Sequence, residues 1–302
     1  METKDILLKI IEYKKDPIAF CKEQCMIRHP TKGFIKFDTF PAQEKCIQDF
    51  LKNRFNIILK SRQLGISTIV AGYITWRLVF FPYQEIRVVA TKNSTAQIII
   101  EMAYNMFDSI DKDILKVLGL EKLTEQKHTV MLSNGSRAKA FTKGSGTNPD
   151  TGVGSALSLL VIDEAALIKN IDDIWTSIYP TLSQGGDCII LSTPRGIDNW
   201  FYQMYRKAET NDYQEGELRF NPIRLMWWEN LERVLPPYKP IEKDDNVVGG
   251  YTNDWAKATF ANLSKKKIAQ EYCISGESMI DIIDENGDIS NISIEKLYEK
   301  LL

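Results

Sequence analysis

Lys60, Arg62, Gly65, Ser67 and Thr68 fall in one short segment, Leu59-Lys60-Ser61-Arg62-Gln63-Leu64-Gly65-Ile66-Ser67-Thr68. It follows the apolar run Phe55-Asn56-Ile57-Ile58-Leu59 and opens a stretch with helical spacing over residues 67–80. A buried strand, a glycine-bearing turn and a helix start together form a phosphate cradle, because backbone N–H groups and the helix N-terminus present positive potential to an anion. Against the pattern GxxxxGK[ST], the segment keeps Gly65 and the hydroxyl pair Ser67-Thr68. Lys60 stands where the first glycine is wanted and Ile66 where the lysine is wanted. Two cations remain, Lys60 and Arg62, and either can reach the β/γ-phosphates of a nucleotide from the start of the loop. Ser67 is placed to ligate Mg²⁺ through its hydroxyl.

A second constellation is Leu159-Leu160-Val161-Ile162-Asp163-Glu164, a buried β run ending in adjacent carboxylates. Side chains alternate on a strand, so a residue at its tip aims into the crevice beyond the sheet. Together with the phosphate loop, this predicts that Asp163 holds Mg²⁺ and that Glu164 orients and deprotonates the attacking water. A solvated acidic turn is the plainer alternative. The next apolar run, Cys188-Ile189-Ile190-Leu191, ends in Ser192-Thr193-Pro194, whose hydroxyls are candidates for sensing the γ-phosphate; alone they would read as an ordinary Pro-containing turn.

Elements must position these groups, and the pattern supplies them. Helical spacing covers residues 5–27, with an interruption at Asp16-Pro17, and 42–52. Residues 34–40 read as short and extended. Strands are predicted at 55–59, 85–91, 158–163 and 187–193, with helices at 67–80, 94–109, 200–208 and 265–272. Residues 128–132 and 137–141 flank Asn134-Gly135, a hairpin signal. Strands alternating with helices predict an α/β fold: a P-loop NTPase (RecA/ASCE-type), doubly wound on a mainly parallel sheet flanked by helices. The expected organisation is a helical lead-in (1–40), the ATPase core (41–210), a small accessory subdomain (211–272) and a short β-rich tail (273–302). Trp227-Trp228 reads first as core packing, and Lys265-Lys266-Lys267 as a solvated helix face.

Composition sets bounds. The 302 residues are 44% hydrophobic and 26% charged, enough for a sizeable core. A formal net charge of −2 gives no support for DNA binding, so any such contact must be local. No apolar run is long enough to span a membrane, and the start has no signal-peptide form. Five cysteines, an odd and widely spaced set, indicate reduced thiols. Cys21, Cys25 and His29 lack a fourth ligand at zinc spacing. With only His29 and His128, most histidine-based metal and triad chemistry is excluded.

The order of motifs over residues 16–272 resembles the large terminase subunit of tailed phages, the T-even type in particular. His29-Pro30 and Gly33-Phe34-Ile35-Lys36-Phe37 resemble the family's lead-in, and Phe40-Pro41-Ala42-Gln43 its adenine-contacting motif, which implies Gln43 as an ATP-binding residue. Ser61-Arg62-Gln63-Leu64-Gly65 is similar to its phosphate-loop opening, Asn134-Gly135-Ser136 to the hairpin before the acidic strand, and Val161-Ile162-Asp163-Glu164-Ala165-Ala166 to its Mg²⁺ and catalytic motif. Ser192-Thr193-Pro194-Arg195-Gly196 resembles its coupling motif; Trp228 and Gln270-Glu271-Tyr272 resemble the close of its motor domain. The resemblance makes Arg62 a candidate arginine finger. Thr151-Gly152-Val153-Gly154 lacks an arginine expected near there, and the family's nuclease domain should follow Tyr272.

Instead, Cys273-Ile274-Ser275-Gly276-Glu277-Ser278-Met279-Ile280 resembles the first block of an intein. In that chemistry the Cys273 thiol attacks the Tyr272 carbonyl and moves the chain from amide to thioester. The remaining residues contain no histidine and are too few for a complete intein, so the resemblance implies the N-terminal fragment of a split intein. A disordered tail with a chance match is the alternative. The resulting expectation is an ATP-hydrolysing, Mg²⁺-dependent terminase motor that packages double-stranded DNA. It would be homo-oligomeric on the portal protein, served by the small terminase subunit, located in the host cytoplasm without membrane contact, and joined by trans-splicing to a C-terminal nuclease chain. The competing expectations are a helicase-like DNA-remodelling ATPase, which should carry a second RecA-like domain, and a nucleotide-binding splicing donor inactive until ligated.

Overall fold

The structure of the chain, a computed structural model, describes residues 3–29, 31–124, 126, 128–141, 156–244, 247 and 250–272, and the backbone alone of 279–283 and 289–293. Helices α1 (Thr3–Lys15) and α2 (Pro17–Gln24) open the chain. The Asp16 carboxylate accepts the N–H groups of Ile18 and Ala19 at 2.8 and 3.1 Å and caps α2, while Pro17 fills the first helical position, where no N–H is needed. The helix expected to reach residue 27 stops at Gln24. Cys25 turns extended, and β1 (Met26–His29) pairs antiparallel with β2 (Gly33–Lys36). Ser109 holds this exit: its hydroxyl accepts from Met26 N–H at 3.0 Å and donates to Gln24 O at 2.9 Å.

Next come α3 (Pro41–Lys52), β3 (Phe55–Lys60), α4 (Ile66–Phe80), β4 (Glu85–Val89), α5 (Asn93–Ser109) and α6 (Lys112–Leu118). Strands β5 (Thr129–Met131) and β6 (Arg137–Phe141) form the expected antiparallel hairpin. Its turn needs glycine, since Gly135 has φ of 81°, and the Asn134 side chain accepts the Ser136 N–H at 3.0 Å. Then follow β7 (Leu159–Asp163), α7 (Ile171–Ile178), β8 (Asp187–Ser192), α8 (Trp200–Thr210) and β9 (Asn221–Leu225). The chain continues through β10 (Glu242–Lys243), β11 (Tyr251–Thr252), α9 (Asp254–Phe260), α10 (Lys265–Tyr272) and a separate antiparallel pair, β12 (Met279–Ile283) and β13 (Ile289–Ser293).

The main sheet has seven strands in the order β5-β6-β4-β7-β8-β3-β9, parallel except for β5. Its central strands are apolar on both faces, and successive residues go to opposite sides. Ile58, Leu159, Val161, Ile189 and Leu191 join one core with α1–α6; Ile57, Leu160, Ile162, Cys188 and Ile190 join a second with α7 and α8. Helices on both faces of a mainly parallel sheet are the α/β architecture expected. Strand β9 lies in the segment expected as an accessory subdomain, yet it pairs with β3 at the sheet edge. Pro222 had hidden it as a strand; at an edge its missing N–H costs no ladder bond. Among the described residues no helix is long and apolar enough to cross a membrane.

Candidate active site

Strands β3 and β7 flank a single strand, β8, so the loop after Lys60, the carboxylates after Ile162 and the hydroxyls ending β8 meet at the C-terminal edge of the sheet. The loop bends through two left-handed residues, Gln63 (φ 57°) and Gly65 (φ 68°), before α4 begins. A side chain at Gly65 would also strike Gln43 Nε2, 2.4 Å from where its Cβ would lie. Among the described residues, the N–H groups of Gln63, Leu64, Gly65, Ile66, Ser67 and Thr68 have no acceptor within the protein. Consecutive free N–H groups around left-handed residues, at the start of a long helix, make an anion-binding concavity.

The acidic strand delivers its two carboxylates to this concavity in different ways. Asp163 is buried at the last position of β7, where its Oδ2 accepts from Ser67 Oγ at 3.1 Å and its Oδ1 from the Glu164 N–H at 2.9 Å. Burial pushes its carboxyl above the ordinary aspartate range, against the nearby Lys60 charge, and the Glu164 charge pushes the same way. Glu164 leaves the strand in a left-handed conformation, φ 53°, which turns its side chain out of the pleat. There its Oε1 meets Lys60 Nζ at 3.1 Å and its Oε2 accepts from Thr193 Oγ1 at 3.2 Å. Ser192 ties the two strand ends together, accepting the Ala166 N–H at 3.1 Å. The structure thus brings Lys60, Ser67, Asp163, Glu164, Ser192 and Thr193 to one place, with Thr68 half-buried in the first turn of α4 and Pro194 half-buried after Thr193.

The other loop residues point elsewhere. Ile66 is 2% exposed and belongs to the core with Leu64, so the position where the pattern wants lysine serves packing. Arg62 is not brought to the carboxylates: its guanidinium pairs with Glu271 of α10 and its side chain stays 60% exposed. Ser61, fully buried, donates from its N–H to Leu225 O at 2.9 Å. The Gln43 amide is engaged at both ends, accepting from the Phe40 N–H at 3.0 Å and donating to Leu64 O at 2.9 Å. Cys273 and the segment Thr151-Gly152-Val153-Gly154 lie outside the described residues.

Three residues that touch the loop escaped sequence reasoning in this role: Asn230, Arg233 and Glu271. Glu271 O accepts the Arg62 N–H at 2.7 Å, and Asn230 and Arg233 hold loop carbonyls. Glu271 carried a signal as part of Gln270-Glu271-Tyr272; a short polar stretch around Asn230 and Arg233 carried none. Trp227 is buried and stacks on Trp255 at 5.3 Å, consistent with packing.

A family model described as "Terminase large subunit, T4likevirus-type, N-terminal" matches residues 57–273. The large terminase subunit of Thermus phage G20c is 37% identical over 78 residues, a stretch covering 25% of this chain and 16% of that protein. The chain is therefore matched to only a small part of the length of that relative. Among solved structures, the large terminase ATPase domain of Thermus phage P74-26 superposes with a TM-score of 0.53 at 20% identity, covering 73% of this chain and 87% of that one. The large terminase of bacteriophage HK97 gives 0.51 at 20% identity, over 66% of this chain and 42% of that one. At these identities the structural likeness speaks for the fold, while the family match spans most of the residues that build the sheet and the site. On that match, the chain belongs to the terminase large-subunit family, as its N-terminal part.

Proposed function

We propose that this chain is the ATP-hydrolysing motor of a phage terminase, of the T-even type, which drives double-stranded DNA into procapsids. The observation that carries the reading is the convergence of Lys60, Glu164 and Thr193 with the Ser67–Asp163 pair, beside a run of unpaired loop N–H groups. The N–H groups bind the β- and γ-phosphates of ATP. Ser67 Oγ and Asp163 Oδ2, oxygens from two elements 3.1 Å apart, suit a hard divalent cation and would hold Mg²⁺. When bound, that ion supplies neutralisation of phosphate charge. Lys60 exchanges its bond to Glu164 for the γ-phosphate, a stronger partner for an ammonium than one carboxylate. Glu164 Oε1 is then free to take a proton from the attacking water, while Thr193 keeps the other oxygen in place. Loss of the γ-phosphate returns Lys60 to Glu164, and Thr193 and Ser192 carry that change to the end of β8. The matching family description supports the T-even type. On this reading the partners are DNA, the portal protein, the small terminase subunit and further copies of the chain, in the host cytoplasm.

The test is ATP turnover by the 302-residue chain with and without double-stranded DNA. Turnover that requires Mg²⁺ and stops with a chelator is expected. A chain that binds Mg·ATP without turning it over, with or without DNA, would mark a nucleotide-binding module instead.

A second reading concerns the tail: the chain is a precursor joined by trans-splicing to a nuclease chain. It is supported by the end of the family match at residue 273, where the Cys273-Ile274-Ser275-Gly276-Glu277-Ser278 pattern begins, and by the separate β12–β13 pair beyond it. Cys273 Sγ would attack the Tyr272 carbonyl carbon; the Tyr272–Cys273 C–N bond breaks, leaving a thioester and a free amine. Mass spectrometry of the protein from infected cells tests this. A tryptic peptide running through Gln270-Glu271-Tyr272 into a sequence other than Cys273-Ile274 is expected, and only the unspliced junction peptide would contradict it.

A further inference from the structure

A phosphate loop works only if its peptide planes are turned the right way. In a trans peptide the C=O of one residue and the N–H of the next point in opposite directions. Holding the carbonyls of Arg62, Gln63 and Leu64 on the outside of the loop therefore aims the N–H groups of Gln63, Leu64 and Gly65 inward. All three carbonyls are held. Arg233 Nη2 donates to Arg62 O at 2.7 Å and to Gln63 O at 3.3 Å; Asn230 Nδ2 donates to Gln63 O at 3.1 Å; Gln43 Nε2 donates to Leu64 O at 2.9 Å.

Arg233 is the centre of this brace. It is 3% exposed, far below the usual exposure of an arginine. Its Nη1 donates to Trp227 O at 3.2 Å, and its guanidinium lies over the Trp255 ring at 4.5 Å from the centroid. Asn253 Nδ2 fixes the Arg233 backbone by donating to Arg233 O at 2.7 Å. A planar fork clamped on an aromatic face can meet two successive carbonyls at set angles; an ammonium on a flexible stem cannot. Among the described residues its hydrogen-bond partners are backbone carbonyls and its flat face lies over the Trp255 and Tyr272 rings, so dipoles carry most of the balance of the buried charge, with a lesser contribution from the Glu232 charge. A nearby anion would complete that balance, and the concavity it shapes is an anion site.

We propose that Arg233, assisted by Asn230, is a positioning residue for the nucleotide phosphates: it presets the inward aim of the loop N–H groups without touching the nucleotide. The inference rests on the phosphate-loop reading above. It makes the segment after β9 part of the nucleotide site.

The test uses the full chain with Arg233→Lys and Asn230→Ser, measuring calorimetric Kd for Mg·ATP and for adenosine, KM and kcat for ATP, and nucleotide-free Tm. Serine keeps a helix-capping oxygen at position 230 and loses the amide donor. Arg233→Lys is expected to weaken Mg·ATP binding and raise KM by about 10-fold, the scale of one charge-assisted hydrogen bond, with adenosine affinity unchanged and kcat moved less. Asn230→Ser is expected to raise KM about 3-fold. A purely structural role would lower Tm and leave KM unchanged for the folded fraction, and that result overturns the proposal, as does equal weakening of ATP and adenosine. If Arg233→Lys fails to fold, Asn230→Ser decides alone, an unchanged KM overturning the proposal. A parent chain that binds no Mg·ATP overturns the phosphate-loop reading and this inference with it; a binding parent with unchanged variants overturns this inference only.

Discussion

Lys60 and Arg62 stand two positions apart and face opposite sides of the same loop. Lys60 ends β3, buried to 9% exposure, and meets Glu164; Arg62 lies beyond the strand, 60% exposed, and meets Glu271 of α10. The inner face of the loop gathers groups from β3, β7 and β8, whose positions follow from sheet order. The outer face gathers Asn230, Arg233 and Glu271 from the segment after β9, which docks on the loop through its backbone. The difference separates two jobs that the phosphate-loop pattern compresses into one motif. On the proposed reading, the groups that meet the nucleotide come from strand tips, the loop's own N–H groups and the start of α4, whereas the loop carbonyls are held from outside, by Gln43 of α3 and by Asn230 and Arg233 from after β9. On that reading a loop without the usual lysine position keeps a cation at the phosphates: Ile66 goes to the core, and Lys60 reaches in from the strand end.

The comparison can be broken or sharpened by substitution. On the inner face, Glu164→Gln keeps the side chain's shape and loses the base; kcat should fall about 10²- to 10⁴-fold with Mg·ATP binding retained. Turnover near that of the parent would remove Glu164 from the chemistry. Thr193→Val removes the donor that holds Glu164 Oε2. A drop in kcat of about 10-fold is expected, from the loss of one hydrogen bond to a charged group; no change would mean that Thr193 does not position the base. The smallest effect concerns stability. Asp163 is raised above the ordinary aspartate range, so burying it favours its protonated form. The stability it contributes is present below the ordinary range and is lost as pH rises through its raised value. Without nucleotide and metal, Tm should decline across that window in the parent and stay flatter in Asp163→Asn. Parallel curves for the two proteins would contradict this.

The legible parts of the molecule are those governed by local pattern. Runs such as Leu159-Leu160-Val161-Ile162 announce buried strands, Asn134-Gly135 a hairpin, and Asp16-Pro17 a helix boundary. The inner face was readable for the same reason: strand tips carry its residues, and a parallel sheet puts strand tips together. What stayed hidden depends on tertiary pairing. Met26–His29 follows a helix of similar apolar spacing and becomes a strand only because Gly33–Lys36 returns beside it. Strand β9 contains Pro222, tolerable only at an edge that the sequence does not reveal. Arg233 looks like any surface arginine until Trp255 covers it and the loop carbonyls reach it.

The measurement that tests the division between the two faces most directly is Mg·ATP turnover and affinity for Lys60→Ala and Arg62→Ala, assayed side by side with the parent. Lys60→Ala should lower kcat/KM by about 10³-fold, since it removes the cation paired with Glu164, while Arg62→Ala should change it by no more than about 3-fold, the scale of an exposed ion pair. The reverse order, with Arg62→Ala inactive and Lys60→Ala nearly intact, would contradict the assignment of the phosphate-facing cation to the inner face.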